Sequence, residues 1–197
     1  MENTDKSLID AHCRGDREAF GELVRRYGDS VLGYLTKMTG NREQAEDFFQ
    51  ETFKRVHEKA HTLTGNRFKS WLFTVATNVA FDGLRRKKRR LRTVSLNQGV
   101  GCVDGNCGQV GAVAVAADSC NPSEQVQKAE QAEQVRQAVE LLPPRQRATL
   151  VLVYYQQLSF REAAEALGCS IGTVKTQMLR ALKTLARRLP DISGVVK

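Results

Sequence analysis

A chain of 197 residues with 41% hydrophobic composition has material for one medium domain or two small helical ones. Its formal net charge of +8 divides as 19 Lys/Arg against 13 Asp/Glu over residues 1–94, none against 2 over 95–122, and 11 against 7 over 123–197. That balance suits a nucleic-acid or anionic-surface partner without requiring one. No apolar run approaches the ~20 residues that span a bilayer, and the opening "MENTDKSLIDAHCRGDREAF" has no signal-peptide core, so a cytoplasmic location without membrane insertion is expected. The scattered cysteines Cys13, Cys102, Cys107, Cys120 and Cys169 are expected as free thiols rather than a disulfide framework.

From about Lys6 to Arg92 apolar residues recur every three or four positions, which predicts an all-helical domain interrupted near Gly40 and Gly65. In "NREQAEDFFQETFKRVHEK" the polar face carries Asp47, Gln50, Glu51 and Lys54, while Phe49, Phe53 and Val56 are core candidates. This pattern fits an ordinary surface helix as well as a docking one. "LTGNRFKSWLF" follows a turn containing Asn66 and Arg67 with Phe68, Trp71 and Phe73. Amides read base edges, and rings or guanidinium planes stack on unpaired bases, although Trp71 and Phe73 equally suit a core. In "ATNVAFDGLRRKKRRLR", Asn78, Asp82 and Arg85 or Arg86 share one side, and the basic run Arg85 to Arg90 is expected to end the helix. Such a run favours a helix C-terminus and neutralises phosphates, or is simply a solvated cluster.

The stretch from Ser95 to Asn121 changes character, being rich in Gly, Ala and Val and free of Lys and Arg, and is expected to be a flexible linker. Helical patterning resumes near Ser123, stops at Pro143 and Pro144, and restarts in "RQRATLVLVYYQQ". "SFREAAEALGCSIGTVKTQ" then predicts a helix capped by Ser159 and Glu162, a glycine turn at Gly168, and a second helix capped by Ser170. Ala163, Ala164 and Leu167 form the apolar side of the first helix. Val174, Met178, Leu182 and Leu185 form the expected buried stripe of the second, turning Lys175, Thr176, Gln177, Arg180 and Lys183 toward other faces. This is the helix-turn-helix plan, whose second helix enters the major groove of DNA; a plain helical hairpin fits the same pattern.

Taken together, "GNREQAEDFFQETFKRV", "RFKSWLFTVATNVAFDGLRRKKRR" and "LPPRQRATLVLVYYQQLSFREAAEALGCSIGTVKTQMLRALKTL" resemble an alternative sigma factor of the extracytoplasmic-function group. The resemblance covers most of residues 8 to 94 and 124 to 189. It implies a region 2-like domain over 1–94, a Gly/Ala-rich linker over 95–122, and a region 4-like domain over 123–197 that ends in the helix-turn-helix. The implied partners are core RNA polymerase, promoter DNA as both duplex and melted strand, and an anti-sigma protein. By the same resemblance Asp47, Phe48, Gln50, Glu51 and Phe53 contact the polymerase. Asn66, Arg67, Trp71, Asn78, Asp82, Arg85 and Arg86 hold the minus-ten element, and Arg161, Lys175, Thr176, Gln177 and Arg180 read the minus-thirty-five element.

Two departures stand out, His57 where an aromatic residue is often found and Gln177 where a basic one is common. The acidic inhibitory region of housekeeping sigma factors is not found before Leu8, so by the same resemblance control is expected from an external anti-sigma protein. No catalytic residue, metal site or cofactor is expected: Cys102, Cys107 and Cys120 lack a paired CxxC, and His12, His57 and His61 lack ligand spacing. The competing readings are a stand-alone two-domain helix-turn-helix regulator and a nucleic-acid enzyme, the latter opposed by the absence of a convergent catalytic set.

Overall fold

The computed structural model describes residues 4–63, 67–95 and 122–189, and among these every regular element is helical. The first half comprises α1 (Asp5–Cys13), α2 (Arg17–Thr39), α3 (Arg42–Lys59) with a short 3-10 turn Ala60–Thr62, and α4 (Phe68–Ser95). The second comprises α5 (Pro122–Glu140), α6 (Pro144–Leu150) running into a π-type turn Val151–Tyr155, α7 (Phe160–Leu167) and α8 (Ile171–Arg188). The all-helical class expected from the periodicity is the observed one. The proposed linker interior and Cys102, Cys107 and Cys120 lie outside the described residues, as do Gly65 and Asn66.

Local chemistry sets the breaks. Asp16 accepts from the backbone N–H groups of Glu18 and Ala19 at 2.9 and 3.3 Å and so starts α2 after a turn at Gly15, an interruption the apolar pattern did not announce. Gly40 ends α2 with φ 68°, and Asn41 caps α3 through Gln44 N–H at 3.0 Å. The basic run does not end its helix: α4 continues to Ser95, so Arg85, Arg86, Arg89 and Arg90 project from within it as exposed residues.

In the first half, Leu23, Val31, Tyr34, Leu35 and Met38 of α2 pack with Val56 of α3 and with Leu72, Phe73 and Ala76 of α4. Tyr34 is completely buried, and burial pushes its phenol far above the usual range; its hydroxyl pairs with Thr77 Oγ1 at 2.8 Å. In the second half, Val139, Leu142, Leu150 and Ala181 form a smaller core with Val135, Met178 and Leu185. The buried side of α8 therefore runs through Val174, Met178, Ala181 and Leu185. Leu182 is 48% exposed, contrary to the expected stripe, because Ala181, one residue round the helix, faces the core in its place.

The two halves are packed against each other. Ala163, Ala164 and Ala166 of α7, with Val151, Leu152 and Leu158, belong to the same apolar cluster as Leu72, Phe73 and Ala76 of α4. Small side chains let α7 approach α4 closely. Gln157, with φ 57°, takes a left-handed conformation that a side chain rarely adopts, and so turns the chain from the π-type turn into α7.

Candidate nucleic-acid interface

Three surfaces carry the residues singled out by the sequence. On α3, Asp47, Gln50 and Lys54 are exposed and Glu51 is half-buried, a polar row on the outer side of the helix. Phe53 does not belong to that row. It is 6% exposed, tilted against Phe49 at 4.7 Å and edge-on to Phe20 at 6.3 Å, since one residue's step round the helix from Lys54 turns it into the core. Phe48 is half-buried against Gly83 of α4, where a Cβ would stand 2.0 Å from the ring tip. Its role is thus packing α3 on α4 at least as much as presenting a ring outward.

Along α4, Arg67 just before the helix, Asn78 within it, and Arg85 and Arg86 further on are exposed, while Trp71 and Asp82 are half-buried. Trp71 lies 6.1 Å from the Phe68 ring and borders the apolar cluster, which makes it a partly packed aromatic with one edge outward. Sequence reasoning missed Arg55. Its Nε donates to Glu51 Oε1 at 2.7 Å and its Nη1 stands 3.9 Å from Asp82 Oδ2, joining the α3 face to the α4 face through one guanidinium. The i,i+4 spacing to Glu51 was legible; the reach to Asp82 was not.

The helix-turn-helix forms as its turn chemistry predicts. Ser159 and Glu162 make the reciprocal capping box, Gly168 ends α7 at φ 60°, and Ser170 accepts from Thr173 N–H at 3.1 Å. The hydrogen bonds from Ser159 hold the Glu162 carboxyl below its ordinary range. Lys175, Thr176 and Arg180 of α8 are exposed, as is Arg161 of α7. Gln177 differs: it is half-buried and, with Thr173, Leu167, Cys169, Arg145 and Thr149, lines a small gap against Phe81 of α4. Burial in this region pushes the Cys169 thiol up, away from the reactive thiolate.

Among the described residues no group of three His, Cys, Asp or Glu side chains could hold a metal ion, although folding brings the His12 and His57 rings to 4.8 Å beside Phe20. Nor is any described helix long and apolar enough to cross a membrane.

Two stretches match family models: residues 23–90 match Sigma-70 region 2, and residues 132–185 match Sigma-70 region 4. Across 193 residues the chain is 33% identical to the ECF RNA polymerase sigma factor SigW of Bacillus subtilis, spanning 98% of this chain and 100% of SigW. The chain belongs to the extracytoplasmic-function sigma factors. It is an RNA polymerase-binding transcription initiation factor, as its matches to both sigma regions and its full-length relative require. Among solved structures, CnrH, determined in complex with the cytosolic domain of CnrY, superposes with a TM-score of 0.66 at 22% identity, covering 96% of this chain and 99% of CnrH. The sigma factor RpoE of Bartonella quintana, determined with the anti-sigma factor NepR, gives 0.65 at 22% identity over 88% of this chain and 98% of that one. These two likenesses concern the sigma-factor fold.

Proposed function

We propose that this sigma factor divides its work between the two halves, residues 1–94 docking on core polymerase and trapping the melted minus-ten strand, and residues 123–197 reading the duplex minus-thirty-five element. The observation that carries this is the placement of exposed polar and cationic side chains on three helices that the core holds rigid: Asp47, Gln50 and Lys54 on α3, Asn78, Arg85 and Arg86 on α4, and Lys175, Thr176 and Arg180 on α8. The matched region 2 and region 4 stretches fall within those two halves.

The factor makes and breaks no bonds; the polymerase does. Its action is differential binding. Extruding a base from the stack costs a few kcal/mol, which stacking on Trp71 and contacts from Asn66 and Arg67 offset only when the strand is melted. Upstream, Arg180 and Thr176 face base edges, and Lys175 with Arg161 face phosphates. Work of this kind takes place in the cytoplasm, without a cofactor, and is released or withheld by an anti-sigma protein such as those seen bound to the structural neighbours.

Runoff transcription by bacterial core polymerase on a pool of genomic promoter fragments tests the reading. New, specific transcripts that depend on this protein are the expected result. Binding to upstream duplexes without any affinity for core polymerase would leave a stand-alone helix-turn-helix regulator instead.

A further inference from the structure

The outward side of α8 carries an apolar spot that the functional reading leaves unused. Leu179 is 54% exposed, while the core side of the helix is filled by Val174, Met178, Ala181 and Leu185. Lys175 and Lys183 stand four residues before and after Leu179, and Thr176 three before it. All are exposed, so they share one outer face of α8, with the exposed Arg180 at its border. A single exposed leucine is ordinary on a protein surface. Here it sits among three cations, on the face proposed to enter the major groove.

Thr176 enlarges the spot. Its Oγ1 donates to the Gly172 carbonyl one turn back, at 2.9 Å. The hydroxyl proton is thus held within the helix and is not offered to a base, which leaves the γ-methyl free to touch one. The preceding turn does not shield it. Gly172 has no side chain, and a Cβ built there would meet nothing closer than Ser170 Oγ at 3.8 Å.

Among the four unmodified bases, the apolar group displayed in the major groove is the 5-methyl of thymine, which threonine methyls and other small apolar groups contact. A rise of about 1.5 Å per residue separates Thr176 from Leu179 by about 4.5 Å along α8, against about 3.4 Å per base pair. The two can therefore meet methyls one or two base pairs apart. Lys175, Arg180 and Lys183 around them suit a polyanion, which makes duplex DNA the occupant that this face fits.

We propose that Leu179 and the methyl of Thr176 read thymine methyl groups in the upstream duplex, so that Leu179 is a specificity-determining residue of the minus-thirty-five surface. The inference rests on the functional reading above and names the base chemistry that this surface prefers. Burying one methyl group is worth about fourfold in affinity.

The test uses the holoenzyme assembled with bacterial core polymerase. An upstream duplex selected from a randomised library is resynthesised with each thymine in turn replaced by deoxyuracil, which removes the 5-methyl and keeps the pairing edge. For the wild type, deoxyuracil at one or two positions should weaken binding about fourfold each. Thr176→Ser, which keeps the hydroxyl and loses the methyl, should erase that difference at one position, Leu179→Ala should erase it at the other, and Thr176→Val should preserve it. No deoxyuracil effect at any upstream thymine overturns the proposal, as does an effect that is the same size in the wild type, Thr176→Ser and Leu179→Ala. If Leu179→Ala weakens binding to core polymerase and leaves the thymine preference intact, the leucine docks on the polymerase and the proposal is again overturned. A wild-type holoenzyme that selects no upstream sequence at all would instead bring down the functional reading on which the inference rests.

Discussion

Phe48 of α3 rests its ring tip over Gly83 of α4, at a point where even one added methyl carbon would stand 2.0 Å from Cζ. This contact holds the outer face of α3 at its distance from α4. Gly83→Ala gains up to about 1 kcal/mol of helix propensity but loses about 1–3 kcal/mol to the forced displacement of the ring. A net destabilisation of about 1 kcal/mol is expected in urea unfolding, together with weaker binding to core polymerase. An increase in stability would show that the ring moves away freely.

Tyr34 and Thr77 pair their hydroxyls at 2.8 Å inside the first half, where both are essentially unexposed. Tyr34→Phe removes one partner and leaves a buried hydroxyl at Thr77 with less satisfaction. The expected cost is about 1–2 kcal/mol of stability. Promoter preference should not change, since neither group reaches the surface; denaturation midpoints and transcription profiles check the two halves of this statement.

Ser159 caps α7 and lowers the Glu162 carboxyl pKa by hydrogen bonding to it. A carboxyl depressed on folding contributes stability above its unfolded pKa, and that contribution disappears as pH falls through the depressed folded value. Ser159→Ala should therefore destabilise the helix-turn-helix by about 1 kcal/mol at neutral pH. The difference from wild type should narrow in acid, once Glu162 is protonated in both proteins. Thermal melts at neutral and acidic pH measure it, and a gap that stays constant across the range would contradict the assignment.

Arg180 and Lys175 both project from α8, but they are expected to act differently. Arg180→Ala should change the preferred upstream bases, by about 1–3 kcal/mol at one position, whereas Lys175→Ala should weaken all sequences alike and reduce the salt dependence. Selection from a randomised upstream library with the assembled holoenzyme separates the two patterns.

Arg67→Ala in the holoenzyme should leave upstream duplex binding intact and reduce open-complex formation, because the proposed base contact arises only after melting. Permanganate reactivity of unpaired thymines, read beside a duplex-binding assay, tests this. Equal loss of both steps would place Arg67 outside the base trap.

Much of this protein was legible in its sequence because the deciding interactions are local. The capping box from Ser159 to Glu162, the left-handed turn at Gly168, the cap at Ser170 and the polar face of α3 each depend on residues within four positions of one another, and each formed as the spacing predicts. Where the outcome depended on which side of a helix found a partner, periodicity was not enough. It could not tell that Ala181 rather than Leu182 faces the α8 core, or that Gln177 is half-buried against Phe81 while Lys175, Thr176 and Arg180 stay exposed. The meeting of Arg67 with Glu165, of Lys37 with Tyr155 and of Phe81 with Gln177 joins residues far apart in the chain. No local propensity encodes such pairs. They arise only when the small side chains of α7 close on α4, and that packing sets Gln177 against Phe81 while the rest of the outer row of α8, Lys175, Thr176 and Arg180, stays exposed.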